Sequence, residues 1–347
     1  MEIVEEKYQS LRIDVTRLGF YERSYVYYVC YASLVVVASV ACFFFITLSG
    51  NIFFQLANAL LLGFVTVQAG MLGHDLAHLQ VFASVKKNDL VGMFVWGLFA
   101  GFSESKWYDK HIAHHRHPNQ IGQDPDLNIP FVFSKEQVPS RSQFFKTWIL
   151  PHQHVLFFLA LPFLYFDNIL RHLCFIAKHL SLRTSLEFLL MSARFLLLFY
   201  FSFGYLPFSV ALAFLAVHFG VVGIYMSLVF APNHKGERVL RENETFTWLD
   251  QITSTRNIYP SAFIFHLFGG LNFQIEHHLF SNVARPYYPK LHLLVKEFCR
   301  EHAISYHETT WSGSIREIYA SLKTQAEIRR IEYFQEKASL QRPISIQ

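Results

Sequence analysis

The chain has 347 residues, of which 52% are hydrophobic, 17% aromatic and only 16% charged, with a net charge of +4 and a mean hydropathy of +0.24. An apolar share this high beside so little charge excludes an ordinary soluble domain, and nothing in it points to a nucleic-acid partner. The chain reads as an integral membrane protein.

Residues 1–24 open with Met-Glu-Ile-Val-Glu-Glu-Lys, which is acidic and unlike a signal peptide, so this segment is expected on the cytoplasmic side. No Asp, Glu, Lys or Arg occurs from Ser24 through His74. A membrane helix needs about 20 apolar residues, so this stretch holds two spans, at about 25–48 and 52–72, with a turn at Ser49-Gly50-Asn51. The apolar runs at 90–102 and 155–164 are too short to cross and fit interfacial or re-entrant helices. A second charge-free stretch, from Phe195 through His234, supplies spans at about 188–205 and 208–230, turning near Gly204-Tyr205-Leu206-Pro207. Arg194 falls within this third span, where a charge is costly; snorkelling of its side chain to the interface is the expected solution. Residues 311–347 read as a charged helix with a loose, solvated end.

The expected fold is therefore all-α and membrane-embedded. Two transmembrane hairpins, four spans in all, belong to a domain over residues 25–310 and carry a helical cytoplasmic cap. Both hairpin tips lack Lys and Arg, whereas the N-terminus, the central segment and the C-terminal third are rich in them. The positive-inside rule then puts both termini and the cap in the cytoplasm, with Gly50 and Gly204 opposite. The four cysteines, Cys30, Cys42, Cys174 and Cys299, are scattered and read as packing residues without disulfides.

Against this frame the histidines are not randomly placed. They form His74-Asp-Leu-Ala-His78, His111-Ile-Ala-His114-His115, Asn233-His234 and Gln274-Ile-Glu-His277-His278. Residues three and four apart share a helix face, so each cluster aims its imidazoles at a common centre. His74 and His234 each follow the end of a span, so all eight rings gather on one side. Imidazole suits zinc, copper, iron and nickel alike, so ligand type does not choose the metal. Ligand number does say something: eight nitrogens exceed the needs of one ion and imply a two-metal centre.

These residues in this order resemble the membrane fatty acid desaturases. The resemblance rests on the three boxes His-x-x-x-His, His-x-x-His-His and Gln-x-x-His-His. It extends to Gly73-His74-Asp75, Asp124-Pro125-Asp126 and Ala231-Pro232-Asn233-His234-Lys235-Gly236, spanning about residues 71–289. The glutamine opening the third box is similar to that of front-end desaturases, which insert a double bond on the carboxyl side of existing unsaturation; the His-Pro-Gly-Gly haem signature of their fused cytochrome is not in this sequence. The resemblance implies a di-iron enzyme that uses O2 and two electrons from a separate ferredoxin or cytochrome to dehydrogenate a fatty acyl chain, linked to lipid, coenzyme A or a carrier protein. It implies His74, His78, His111, His114, His115, His277 and His278 as ligands, with His234 as a satellite. Gln274 stands where other branches have a further histidine, and is either a weak ligand or a holder of metal-bound water; Asn233 is a candidate for a water-mediated contact. Asp75 and Glu276, and after them Asp124 and Asp126, are candidates to accept the outer imidazole N–H. Hydroxylation, triple-bond formation and oxidative decarboxylation to a terminal alkene are chemistries of similar scaffolds and remain alternatives. A membrane metal transporter is the alternative from another class, although transporters place ionisable ligands within their spans and these spans are nearly free of them.

Other histidines read more simply. His117 precedes Pro118, a helix-ending position, and is expected off the metal; His152 and His154 read as interface residues and His218 as a core residue of the fourth span. Trp107 and Trp248 line a substrate path or anchor at the membrane interface. Lys106, Lys110 and Arg116, beside the second box, form a basic patch that either docks an acidic electron donor or serves only the cytoplasmic charge bias and anionic lipid headgroups.

Overall fold

The computed structural model describes residues 2–340, with side-chain surroundings over 5–328. In chain order its α-helices are α1 Glu2–Arg17, α2 Tyr25–Leu48, α3 Ile52–Ala77, α4 Val85–Phe94, α5 Glu104–Arg116, α6 Gln153–Ala160, α7 Leu164–Lys178, α8 Leu182–Tyr205, α9 Phe208–His234, α10 Trp248–Thr253, α11 Ala262–Leu267, α12 Gln274–Leu279, α13 Tyr288–Glu301 and α14 Trp311–Leu340. The only sheet among the described residues is a parallel pair of two-residue strands, β1 Asn257–Ile258 and β2 Glu308–Thr309.

The hairpin α2–α3 shows how an apolar sequence still solves its backbone chemistry. The last carbonyls of a helix have no partner within it. Here the buried Gln55 reaches back from α3 and donates to Phe45 O at 3.0 Å and Ser49 O at 2.7 Å, while Asn58 donates to Cys42 O at 2.9 Å. Asn51 caps α3 by accepting from Phe54 N. Much of α2 nevertheless stays bare, with Val26 79% exposed and Val29, Val37, Val40 and Phe44 also open. Apolar side chains exposed around a helix suit lipid and not water. The second hairpin, α8–α9, stands beside the first, and a Cβ at Gly50 would lie 3.4 Å from Pro207 Cδ, so both tips meet at one end of the molecule. Helices α3 and α9 form the centre and carry their histidines to the other end.

Among the described residues, five stretches are long and apolar enough to cross a membrane by length and composition, one more than the four spans expected. The additional one runs over Phe145–Lys178 and absorbs the short run at 155–164. Pro151 and Pro162 lack the backbone N–H of a regular helix, so this stretch is assembled from a π turn, two tight 3₁₀ turns, α6 and α7. Charged residues at Lys146, Asp167, Arg171 and Lys178 divide its hydropathy, which is why the run looks short in sequence. The run at 90–102 is likewise broken, becoming the end of α4 and a π turn closed by Gly101 in the left-handed region.

Arg194 does not snorkel. It sits in the middle of α8, only 3% exposed, donates to Thr66 Oγ1 at 3.0 Å and lies over the Phe43 ring. Twelve residues from the start of its helix, it is too far from an interface for its stem to reach. The tail is less solvated than expected, since Ile318, Leu322 and Ala326 of α14 are buried and Leu322 O accepts from Gln153. The loose end falls on residues 341–347, outside the described residues. The four cysteines are free thiols.

Candidate metal centre

Four separate segments deliver the eight imidazoles. The C-terminal turn of α3 supplies His74 and His78, α5 supplies His111, His114 and His115, the end of α9 supplies His234, and α12 supplies His277 and His278. They divide into two groups. One nitrogen each from His74, His78, His111, His115 and His277 lie within 4.8 Å of one another, and the same holds for His114, His234 and His278. His115 and His278 stack at 4.3 Å between ring centroids, so the two groups adjoin.

The nitrogens face each other in a way that suits bound cations. His78 Nε2 is 2.8 Å from His111 Nε2, His115 Nε2 is 3.0 Å from His277 Nε2, and His234 Nε2 is 3.3 Å from both His114 and His278 Nε2. Metal–imidazole bonds of about 2.0–2.1 Å place neighbouring ligand nitrogens about 3 Å apart, so these separations are those of a coordination shell. His74 Nε2 is buried with no protein partner. Several outer nitrogens, by contrast, are held by fixed acceptors: His74 Nδ1 by Asp75 at 3.2 Å, His114 Nδ1 by both oxygens of Asp124 at 3.0 Å, His277 Nδ1 by Tyr288 Oη at 2.9 Å and His278 Nδ1 by Gln251 Oε1 at 2.9 Å. A proton held at Nδ1 leaves the Nε2 lone pair pointing inward, and lone pairs at such distances repel unless a cation lies between them. The residues fit a pair of metal ions.

Burial first, and then repulsion among the rings, pushes His111, His115, His277 and His278 well below the ordinary histidine range, keeping them neutral. His114 moves the other way. Burial opposes its charging, but Asp124 and Asp126 outweigh that and raise it. Asp124 is itself fixed by Asn119 N at 2.7 Å and Asp126 N at 2.8 Å.

Not every expected neighbour takes its expected post. Glu276 is turned away from the imidazoles, because α12 points its odd residue into the protein behind the site; it accepts from Asn257 at 2.7 Å and Tyr306 at 2.5 Å. Gln274 Nε2 lies 2.9 Å from His234 Nε2, whereas Asn233 stands one step back, donating to Gln274 Oε1, Val229 O and Leu271 O. Lys110 Nζ lies 2.5 Å from Asp126, and Lys106 lies over the Phe175 ring. His117 is off the groups, against Gln120, and His218 is fully buried within α9. Trp107 stacks on His111 at 4.1 Å and on Trp96 at 4.6 Å, walling the site, while Trp248 stacks on Tyr8 of α1. Gly73 makes this wall possible, because a Cβ there would come within 2.7 Å of the Trp96 indole.

Sequence reasoning missed Tyr288, Gln251 and Arg285. Tyr288 and Gln251 hold the rings of His277 and His278, and Arg285 pairs with Asp75 at 2.7 Å. None carries a local signal. Each stands 11 to 210 residues from what it serves, counting from Tyr288 to His277 and from Arg285 to Asp75, and only folding brings the pairs together.

Residues 49–310 match the family model described as fatty acid desaturase. Among curated relatives, the chain is 32% identical over 278 residues to fatty acid desaturase 3 of Bos taurus, covering 78% of this chain and 61% of the relative. It is 32% identical over 279 residues to fatty acid desaturase 3 of Homo sapiens, with the same coverage, and 33% identical over 269 residues to the Delta(5) fatty acid desaturase fat-4 of Caenorhabditis elegans, covering 73% of this chain and 60% of the relative. The chain thus spans about three fifths of the length of the relatives it matches.

Proposed function

The chain belongs to the fatty acid desaturase family, and from that premise we propose that it is a membrane-bound di-iron oxidoreductase that desaturates a fatty acyl chain. The observation that carries this reading is the pairing of two imidazole groups whose Nε2 atoms face one another at 2.8–3.3 Å, set at the inner end of apolar hairpins. His74, His78, His111, His115 and His277 would hold one iron, and His114, His234 and His278 the other, with Gln274 beside His234. When bound, the irons supply the O2-dependent oxidising chemistry that an unactivated methylene C–H requires and that no side chain can provide.

The protein's own share is position and access. Asp75, Asp124, Tyr288 and Gln251 fix the ring tautomers and turn the lone pairs inward. The Trp96–Trp107 stack shields His111 and His74 from water. An acyl chain entering between the hairpins presents its methylenes to the group, and its depth selects the carbon oxidised. The glutamine of the third box supports a front-end outcome on a substrate that is already unsaturated. The two electrons come from a partner protein at the histidine end, which, with both termini, faces the cytoplasm.

The test is expression in cells fed isotope-labelled saturated and unsaturated fatty acids, with mass-spectrometric product analysis, beside metal analysis of the purified chain. A new double bond and two irons per chain are expected. Hydroxylated or alkene products would reassign the chemistry on the same site, and a single zinc would overturn the reading.

A further inference from the structure

The outer nitrogens of His74 and His277 are the two ends of one buried chain of polar contacts. Asp75 holds His74 Nδ1 with one oxygen and pairs its other oxygen with Arg285 Nη2 at 2.7 Å. The backbone N–H of Arg285 donates to Tyr28 Oη at 3.2 Å, and Tyr28 donates to Gln80 Oε1 at 2.9 Å. Gln80 Nε2 donates to Tyr288 Oη at 2.9 Å, and Tyr288 Oη meets His277 Nδ1. Every member is buried, with exposures of 2% at Asp75 and Tyr28, 1% at Arg285 and Tyr288 and none at Gln80. Helix α2 supplies no histidine, yet through Tyr28 it is tied to both ends.

Resting on the reading of two metal subsites, we propose that Arg285 and Tyr28 are positioning residues that set the ring geometry of the five-histidine group alone. The geometry makes Arg285 the critical member. It holds one Asp75 oxygen at 2.7 Å while the other lies 3.2 Å from His74 Nδ1, and a carboxylate left without that clamp is free to rotate away from the ring. Arg285 is itself locked in place: it donates to Met71 O at 3.0 Å and lies over the Tyr31 ring. It also passes Gly270, at φ +80°, where a Cβ would come within 2.5 Å of Arg285 Cγ. The three-histidine group has different outer contacts, namely Asp124 on His114, Gln274 beside His234 and Gln251 on His278, and none of these residues touches the chain through Arg285.

The test reads iron rather than turnover. Full-length protein in detergent is loaded with ferrous iron, counted, and stripped by a colorimetric chelator, with Mössbauer spectra of each sample; His278→Ala supplies the reference spectrum of iron in the five-histidine group. Wild type is expected to hold two irons. Arg285→Leu is expected to hold close to one, with the five-histidine signature missing, and Arg285→Lys to recover part of it. Tyr28→Phe, which keeps the ring and removes only the hydroxyl, is expected to retain both irons but release one class about tenfold faster, in line with the usual cost of losing an outer partner. Unchanged release of both irons from Tyr28→Phe and Arg285→Lys, or equal acceleration of the two, would overturn the assignment even if Arg285→Leu fails to fold. A folded Arg285→Leu that keeps both irons, or loses both, would do the same. Fewer than two irons in wild type would overturn the two-subsite reading itself, and this assignment with it.

Discussion

The two histidine groups differ in how their surroundings treat charge. Around the five-histidine group the one nearby carboxylate, Asp75, is cancelled by Arg285, and His277 leans on a neutral phenol. Around the three-histidine group the carboxylates Asp124 and Asp126 crowd His114, with Lys110 on Asp126 and Lys235 donating to Asp126 O. One group is rich in nitrogens and electrically quiet; the other has fewer nitrogens and carries its negative charge immediately behind His114. The lesson is that two sites built from the same residue type need not be equivalent, because the layer behind the rings sets orientation and field.

The comparison predicts its own failures, beginning with the largest. His277→Ala and His278→Ala change adjacent residues of α12 but remove ligands from different groups. Each is expected to lower product to background and to leave about one iron, with distinct Mössbauer spectra; identical residual spectra would erase the distinction between groups. Next, Asp124→Ala is expected to weaken iron in the three-histidine group by roughly 10- to 100-fold while sparing the other, measured by chelator competition. Uniform loss would mean that Asp124 only holds the loop from Asn119 to Asp126 in shape.

Acidification separates His114 by sign from the other rings outside the spans. His111, His115 and His277 have depressed values in the folded chain, so their contribution to stability is complete above about pH 6.5, the unfolded value, and is lost as pH falls below it. His114 is raised, so its contribution is present below that pH and fades as pH rises through its folded value. Apo-protein unfolding followed between pH 7.5 and 5.0 is therefore expected to lose stability toward acid, and His114→Gln to steepen that loss; a flatter profile in the variant would contradict the assignment. The smallest effect concerns the wall. Gly73→Ala forces Trp96 off α3 and is expected to cost about 1–3 kcal/mol, read by thermal unfolding, with the five-histidine iron released faster because Trp107 rests on His111.

Much of the architecture was legible before any coordinates. The two charge-free stretches gave α2–α3 and α8–α9 nearly to the residue at their tips, because helix length across a bilayer and the cost of charge within it are properties of the local chain. The full extent of the apolar stretch over Phe145–Lys178 was not legible, since Pro151 and Pro162 and the charges of α7 break up its hydropathy. Arg194 was misread for a related reason: hydropathy locates a charge along a helix but not the Thr66 and Phe43 that receive it.

At the centre the division is sharper. Spacing within each box determined that His74 and His78, and His111 with His114 and His115, share faces, because that follows from the helical repeat alone. Which rings form a group was decided only by the fold, which splits His114 from His111 and His115 and His277 from His278 although they are near or adjacent in sequence. The tertiary structure likewise turned Glu276 away and brought Arg285 to Asp75, Tyr288 to His277 and Gln251 to His278. A local sequence can fix where a side chain leaves its own helix; which polar group it then meets depends on how separate helices pack, and that is a long-range property carried by no short motif.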